Sequence, residues 1–184
     1  MGGLRKIAEY GKLLHDDKLV IGSGGNISEL DGEFLIIKKK GTDMSSGRTG
    51  GYIRLPLLAA EKGGDGRLSS ETPFHIACYM ARTDIGAVIH VHSPYMVASA
   101  GKTDILESVS YEFDCILKKA VPVVEYIRPG SPELAGEIAA KIKAGANAVL
   151  LRRHGGLSAG KDLEEAYLRI LALERACITF LHSR

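Results

Sequence analysis

Two histidines close an apolar run in Ala87-Val88-Ile89-His90-Val91-His92-Ser93-Pro94. If the run is a strand, alternate side chains share a face, so His90 and His92 converge while Val91 points away. Two neutral imidazoles at that separation can chelate zinc or a similar divalent ion. His154 follows a second apolar run, Ala148–Leu151, and the glycine pair after it, Gly155-Gly156, leaves room for something close to the backbone. Two strand ends in one sheet can lie side by side, which makes a three-histidine site geometrically reasonable. Three histidines with an open fourth position form a catalytic rather than a structural zinc pattern. A lone strand-end histidine is more often a satisfied polar residue or a cap. It is the His-x-His pair together with His154 that tips the reading toward metal.

A second group of residues could hold an anion. In Gly22-Ser23-Gly24-Gly25-Asn26-Ile27-Ser28 the glycines let backbone amides approach a ligand, and Ser23 and Asn26 add side-chain donors. The loop lacks the Lys-Ser/Thr ending of a P-loop and the spacing of a dinucleotide loop. Lys38-Lys39-Lys40-Gly41 supplies positive charge, and Ser69-Ser70 stand at a helix start, where amides favour anions. Each has a plainer reading: an ordinary turn, a solvated edge-strand run, an N-cap. Glu71 follows the serines. It either complements the helix dipole or, beside a metal, serves as ligand or general base. His75, four residues on, either orients Glu71 or packs in the core. Tyr111 is a further candidate proton donor, while His15 and His182 fall near helix ends as surface or capping residues.

Elements that could position these residues follow from periodicity and punctuation. Leu4, Ile7, Ala8, Gly11 and Leu14 recur at helical spacing, which predicts a helix over 3–17. Asp31-Gly32 between two β-rich runs predicts a hairpin. Residues 41–70 read as irregular, with a short helix at Pro56–Glu61. Thr72-Pro73 opens a helix to about Arg82, and Ala87 begins a buried strand. Further helices are expected near 94–100 and over 109–119, with a strand at Pro122–Val124 between the second of these and the next helix. That helix starts at Ser131-Pro132-Glu133 and stops at Gly145. After the Ala148–Leu151 strand, Asp162 and Glu165 open a last helix over 163–182. Strands mixed with helices imply a mixed sheet with helices on both faces, a three-layer α/β/α fold.

Composition limits the function classes. The chain has 184 residues, the size of one domain spanning 1–184, with 45% apolar and 25% charged residues. A net charge of +2 and the lack of any Arg-rich run argue against nucleic acid. Three cysteines without short spacing argue against a disulfide framework or a thiolate zinc knuckle, and for a reducing, cytoplasmic setting. No run of 18 apolar residues occurs, and the N-terminus has no signal-peptide pattern, so the expectation is a soluble chain without membrane partners.

GSGGNIS, IIKKKG, LSSET, AVIHVHSP and LLRRHGGL, in this order, resemble the class II aldolase/adducin family, above all its fuculose-phosphate aldolase branch. The resemblance runs from about Leu14 to the last helix. It implies a central mixed, largely antiparallel sheet. It implies that His90, His92 and His154 bind one Zn2+ or other divalent ion per subunit. Glu71 would join the metal at rest and then swing to act as base. Ser23, Gly25, Asn26, Gly41, Ser69 and Ser70 would contact phosphate, with Lys40 standing where the aldolases tend to have Thr or Ser. Lys38 is similar to the lysine of the ribulose-phosphate 4-epimerase branch, and Tyr111 to a tyrosine that protonates the aldehyde oxygen. The implied reaction is reversible cleavage of a ketose 1-phosphate of the L-fuculose 1-phosphate type. Its products are dihydroxyacetone phosphate and an aldehyde such as lactaldehyde, formed through a metal-stabilised enediolate. The implied assembly is a C4 homotetramer with sites between subunits. Sugar-phosphate 4-epimerase and methylthioribulose-1-phosphate dehydratase share the scaffold; Tyr111 and the short tail after His154 favour aldolase over both. A non-enzymatic adducin-like module would have lost the ligands present here. Thirty residues follow His154, so the tail that closes the site in bacterial relatives is expected to have no counterpart, with a looser aldehyde preference.

Overall fold

In a computed structural model describing residues 2–63 and 66–183, the apolar runs assemble into one eight-stranded sheet. Helix α1 (Gly2–Asp16) buries Ile7, Ala8, Gly11 and Leu14 along one stripe. Strands β1 (Asn26–Asp31) and β2 (Phe34–Lys38) pair antiparallel with Asp31 opposite Phe34. The hairpin turn is therefore Gly32-Glu33, one residue later than the Asp-Gly signal. Gly32 takes φ +61°, as the first central position of a type II′ turn requires. Residues 41–70 are less irregular than expected, because β3 (Tyr52–Pro56) adds an edge strand to β2 before α2 (Leu57–Glu61).

Helix α3 (Thr72–Ala81) carries Pro in its first turn and leads into β4 (Ala87–Val91), all five of whose residues are buried. Helix α4 (Pro94–Ala100) follows, capped by the Ser93 hydroxyl on the Tyr95 amide. A two-residue strand β5 (Ile105–Leu106) comes next. The helix expected over 109–119 shrinks to a wide turn at Phe113–Leu117, ended by Lys118 at φ +65°. Only Phe113 and Leu117 of that turn are buried, too narrow an apolar stripe to sustain a full helix.

The chain closes with β6 (Val121–Val124), α5 (Pro132–Lys143), β7 (Ala148–Leu151), β8 (Gly155–Gly160) and α6 (Leu163–His182). Sheet order is β3-β2-β1-β4-β8-β7-β6-β5, antiparallel except for the parallel β6–β7 pair. Side-chain alternation sorts the core into two layers. Ala87, Ile89 and Val91 of β4 face α1, α4 and α6, while Val88 faces α3 and α5 on the opposite side. The architecture is thus three-layer α/β/α with a mixed, largely antiparallel sheet. No described helix is long and apolar enough to cross a membrane.

Candidate metal centre

Topology decides which loops meet at the end of β4. Its two neighbours are both antiparallel, so the C-terminal end of β4 lies between the N-terminal ends of β1 and β8. Asn26 opens β1 opposite His90, and Gly156 pairs with Val91. His154 belongs to the three-residue connection Arg152–His154 that joins β7 to β8. The strand lying beside β4 is β8, which begins after His154, and not the Ala148–Leu151 strand that precedes it. Arg153 turns this connection at φ +61°, with its guanidinium 4.6 Å over the Tyr126 ring. The glycine pair makes room for the protein itself. A Cβ on Gly155 would run into the Val91 carbonyl oxygen, and one on Gly156 into Met96 and Leu173.

Ligand atoms of Glu71, His90, His92 and His154 all lie within 4.8 Å of one another. Nε2 of His92 is 2.9 Å from Nε2 of His90, and the three imidazole centroids are 4.7–5.0 Å apart. Glu71 reaches them from the residue before α3, with Oε1 2.9 Å from Nε2 of His154 and Oε2 3.6 Å from Nε2 of His90. His90 donates its Nδ1–H to the Gly156 carbonyl at 2.9 Å, which leaves the Nε2 lone pair facing the cluster. Glu71 Oε1 is buried, and its 2.9 Å contact with His154 Nε2 lacks hydrogen-bond geometry, so the oxygen accepts no hydrogen bond. A buried carboxylate oxygen without a partner costs free energy, and three imidazole nitrogens with one carboxylate are a zinc-type donor set. These residues fit a divalent ion.

Charge states agree with that donor set. Burial pushes the Glu71 carboxyl up, but the surrounding His90, His154 and His92 outweigh it and hold the group well below the usual carboxylate range. His90, fully buried, is pushed down to about 3 by desolvation, so its imidazole is neutral. Burial also lowers His92, with His154 and Lys38 acting in the same sense and Glu71 against them.

A cavity of about 380 Å³ opens beside the cluster, with Glu71 and His92 in its wall. Ser23, Gly25, Asn26 and Gly24 border it from the glycine loop, Lys38, Lys40 and Gly41 from the end of β2, and Ser69 and Ser70 from the approach to α3. Gly25 is at φ +66°, and a Cβ there would sit 2.7 Å from the His90 carbonyl oxygen, so the loop packs directly on β4. Two residues depart from the expected arrangement. Asn26 spends its side-chain amide on Glu71 and His75. Lys38 donates to the Ser23 carbonyl at 2.7 Å and the Thr42 carbonyl at 2.9 Å instead of pointing free. Tyr111 lies outside the cluster and the cavity wall, 81% exposed. His15 and His182 stay near the ends of α1 and α6, as expected. Behind the site Ser28 meets His75, and Tyr79, unremarked in the sequence, meets Ser28. The recurrence of Glu71, His75 and Tyr79 at four-residue steps was a signal that could have found Tyr79.

The family sequence model for the class II aldolase and adducin N-terminal domain matches residues 5–181. An L-fuculose phosphate aldolase of Methanococcus maripaludis is 33% identical over 166 residues, 89% of this chain and 87% of that protein. A 3-oxo-tetronate 4-phosphate decarboxylase of Haemophilus influenzae is 29% identical over 87% of this chain and 78% of that protein. In three dimensions the chain superposes on the L-fuculose-1-phosphate aldolase of Thermus thermophilus with a TM-score of 0.90. All of this chain and 95% of that one are covered at 24% identity, a likeness of fold. With the family sequence model spanning nearly its whole length, the chain belongs to the class II aldolase and adducin family.

Proposed function

We propose that the chain is a divalent-metal-dependent aldolase. It reversibly cleaves a ketose 1-phosphate of the L-fuculose 1-phosphate type to dihydroxyacetone phosphate and an aldehyde such as lactaldehyde. The observation that carries this reading is the junction of two sites: the Glu71–histidine cluster forms part of the wall of a cavity lined with hydroxyls, glycine backbone and lysines. His90, His92 and His154 would hold the ion, Zn2+ by the donor set, with Glu71 as the fourth ligand at rest. The bound ion supplies Lewis-acid stabilisation of negative charge developing on the substrate's oxygens.

The chain's own residues do the rest. Ser23, Ser69, Ser70 and the Gly25 and Gly41 backbone would receive the phosphate, with Lys40 and the buried Lys38 amine offsetting its charge. This would bring the hydroxymethyl carbon near Glu71 Oε1, which would take its proton. Burial favours the protonated carboxyl, the sense that proton uptake requires, while the histidines oppose it. Tyr111, exposed on the surface, would donate to the aldehyde oxygen of a neighbouring subunit's site in a C4 homotetramer. The three free cysteines accord with a reducing cytoplasm.

Metal analysis combined with a retro-aldol assay on L-fuculose 1-phosphate tests this. One divalent ion per subunit and dihydroxyacetone phosphate release are expected. Glu71→Gln should lower turnover by about 10²–10⁴-fold, the range of a lost general base, and His92→Ala should lose the ion. A wild-type protein that binds no divalent ion would sink the reading. Bound ion without dihydroxyacetone phosphate release would move the chain to the epimerase, dehydratase or decarboxylase reactions of the same scaffold.

A further inference from the structure

Behind Glu71, polar side chains from β1 and α3 interleave, with only the Asn26 end of the set reaching the cavity wall. Asn26 and Ser28 are two apart on β1 and share a face. Glu71, His75 and Tyr79 are four apart and share a stripe of α3. The two sets alternate in space. Asn26 Nδ2 donates to Glu71 Oε2 at 2.6 Å, His75 Nε2 meets Asn26 Oδ1, Ser28 Oγ lies 2.7 Å from His75 Nδ1, and Tyr79 OH lies 2.6 Å from Ser28 Oγ. His75 and Ser28 are 0% exposed, so no bulk water substitutes for any link.

Each link has only one workable direction. A carboxylate accepts only, so the Asn26 amide must present its NH2 to Glu71 and its oxygen to His75. That oxygen needs a donor, so His75 carries its proton on Nε2. Burial keeps His75 neutral, pushing it down to about 3, so Nδ1 is left as an acceptor. Ser28 must then donate to Nδ1 and accept from the Tyr79 hydroxyl. A flipped Asn26 amide would set oxygen against carboxylate and N–H against N–H. The chain therefore selects one amide orientation and, through it, one carboxylate rotamer.

We propose that Tyr79, Ser28, His75 and Asn26 form a one-directional positioning chain that pins Glu71 by Oε2 and keeps Oε1 turned toward the histidine cluster. His75, Ser28 and Tyr79 touch neither ion nor phosphate; they are positioning residues. The inference rests on Glu71 being the base of the proposed reaction.

Two measurements test it. The first needs no ion: two-bond 1H–15N correlation on histidine-labelled, metal-free protein should show His75 as the Nε2–H tautomer. An Nδ1–H or doubly protonated ring overturns the chain. The second follows loss of a hydrogen-isotope label from the hydroxymethyl carbon of dihydroxyacetone phosphate. His75→Leu should lower kcat for exchange about 10–100-fold, the usual size of an outer-shell loss, with KM unchanged. His75→Gln, whose amide N–H can reach Asn26 Oδ1, should recover most of it. If His75→Leu does not fold, Ser28→Ala and Tyr79→Phe should give smaller losses in kcat alone. Exchange equal to wild type in the folded variants, or a loss carried by KM, overturns the positioning role. A wild type that exchanges no label overturns the aldolase reading instead, and the tautomer alone then decides whether the chain exists as described.

Discussion

Lys38 illustrates how much a single buried charge can organise. Only 2% of it is exposed, and burial lowers the proton affinity of its amine, with Glu71 and Asp43 acting in the opposite sense. Two of its three N–H groups go to carbonyls of different loops, Ser23 before β1 and Thr42 after β2. Both loops contribute residues to the cavity wall, so the side chain ties the proposed phosphate cradle together and has one donor left for an anion. Lys38→Met removes both ties and leaves two carbonyls unpaired. The expected result is a KM for phosphorylated substrate raised about tenfold or more, the equivalent of one charged hydrogen bond at ~1.5–3 kcal/mol. Ion content should not change, because Lys38 contacts none of the four candidate ligands. Steady-state kinetics with metal analysis on one preparation checks this; an unchanged KM, or loss of the ion, counts against the tie. His90 and His92 were legible as a pair because strand periodicity needs only two residues of context. The Asn26–Glu71 bond spans 45 positions and could not be read from either residue's neighbours.

At the scale of elements, the centre exists because an antiparallel strand brings its start to its neighbour's end. Helices α1, α3, α5 and α6 announce themselves by apolar spacing and caps, and Asp162 does bond the Glu165 amide as an N-cap. The Thr72–Ala81, Pro94–Ala100 and Leu163–His182 helices stand within a residue of their predicted bounds. Strand β8 is different. Gly-Gly-Leu-Ser-Ala-Gly has neither β-branched residues nor alternation, so no local signal marks it, yet it is fully buried between β4 and β7. Small residues are what the place demands. Gly155 sits at φ +146° against the Val91 carbonyl, and Gly160 against the backbone of Glu165 and Ala166. Gly155→Ala should therefore cost about 1–3 kcal/mol from overpacking. It should also push His154 off the cluster and weaken ion binding more than it weakens the fold. Denaturant unfolding of the metal-free protein beside ion titration separates the two effects. An alanine variant with wild-type ion affinity would show that the β4–β8 approach does not set the position of His154.

For the whole molecule, building such a centre into the core makes the metal-free protein sensitive to acid. His75 and His90 are both fully buried and both depressed from 6.5 to about 3. In the unfolded chain each takes a proton near its ordinary value; in the folded chain it does not until about pH 3. Between those limits the unfolded state binds up to two more protons than the folded state, so stability rises with pH and falls on acidification. The slope reaches ~1.4 kcal/mol per pH unit for each histidine, and for a chain of this size about 2–4 °C of Tm per kcal/mol. Metal-free protein should thus hold its Tm above pH 7 and lose it progressively from about pH 6.5 downward. Saturating divalent ion at neutral pH should raise Tm further, by the equivalent of ~2.7 kcal/mol at a hundred times Kd. That gain should persist on acidification for as long as the folded ligands stay unprotonated, because an ion binds only the unprotonated forms. Thermal melts of metal-free and ion-loaded protein from pH 8 to pH 4.5 decide the matter. A metal-free Tm that stays flat between pH 7 and 5 would mean that His75 and His90 already carry protons or meet water in the folded protein, and the assignment of two neutral, buried imidazoles would have to be abandoned.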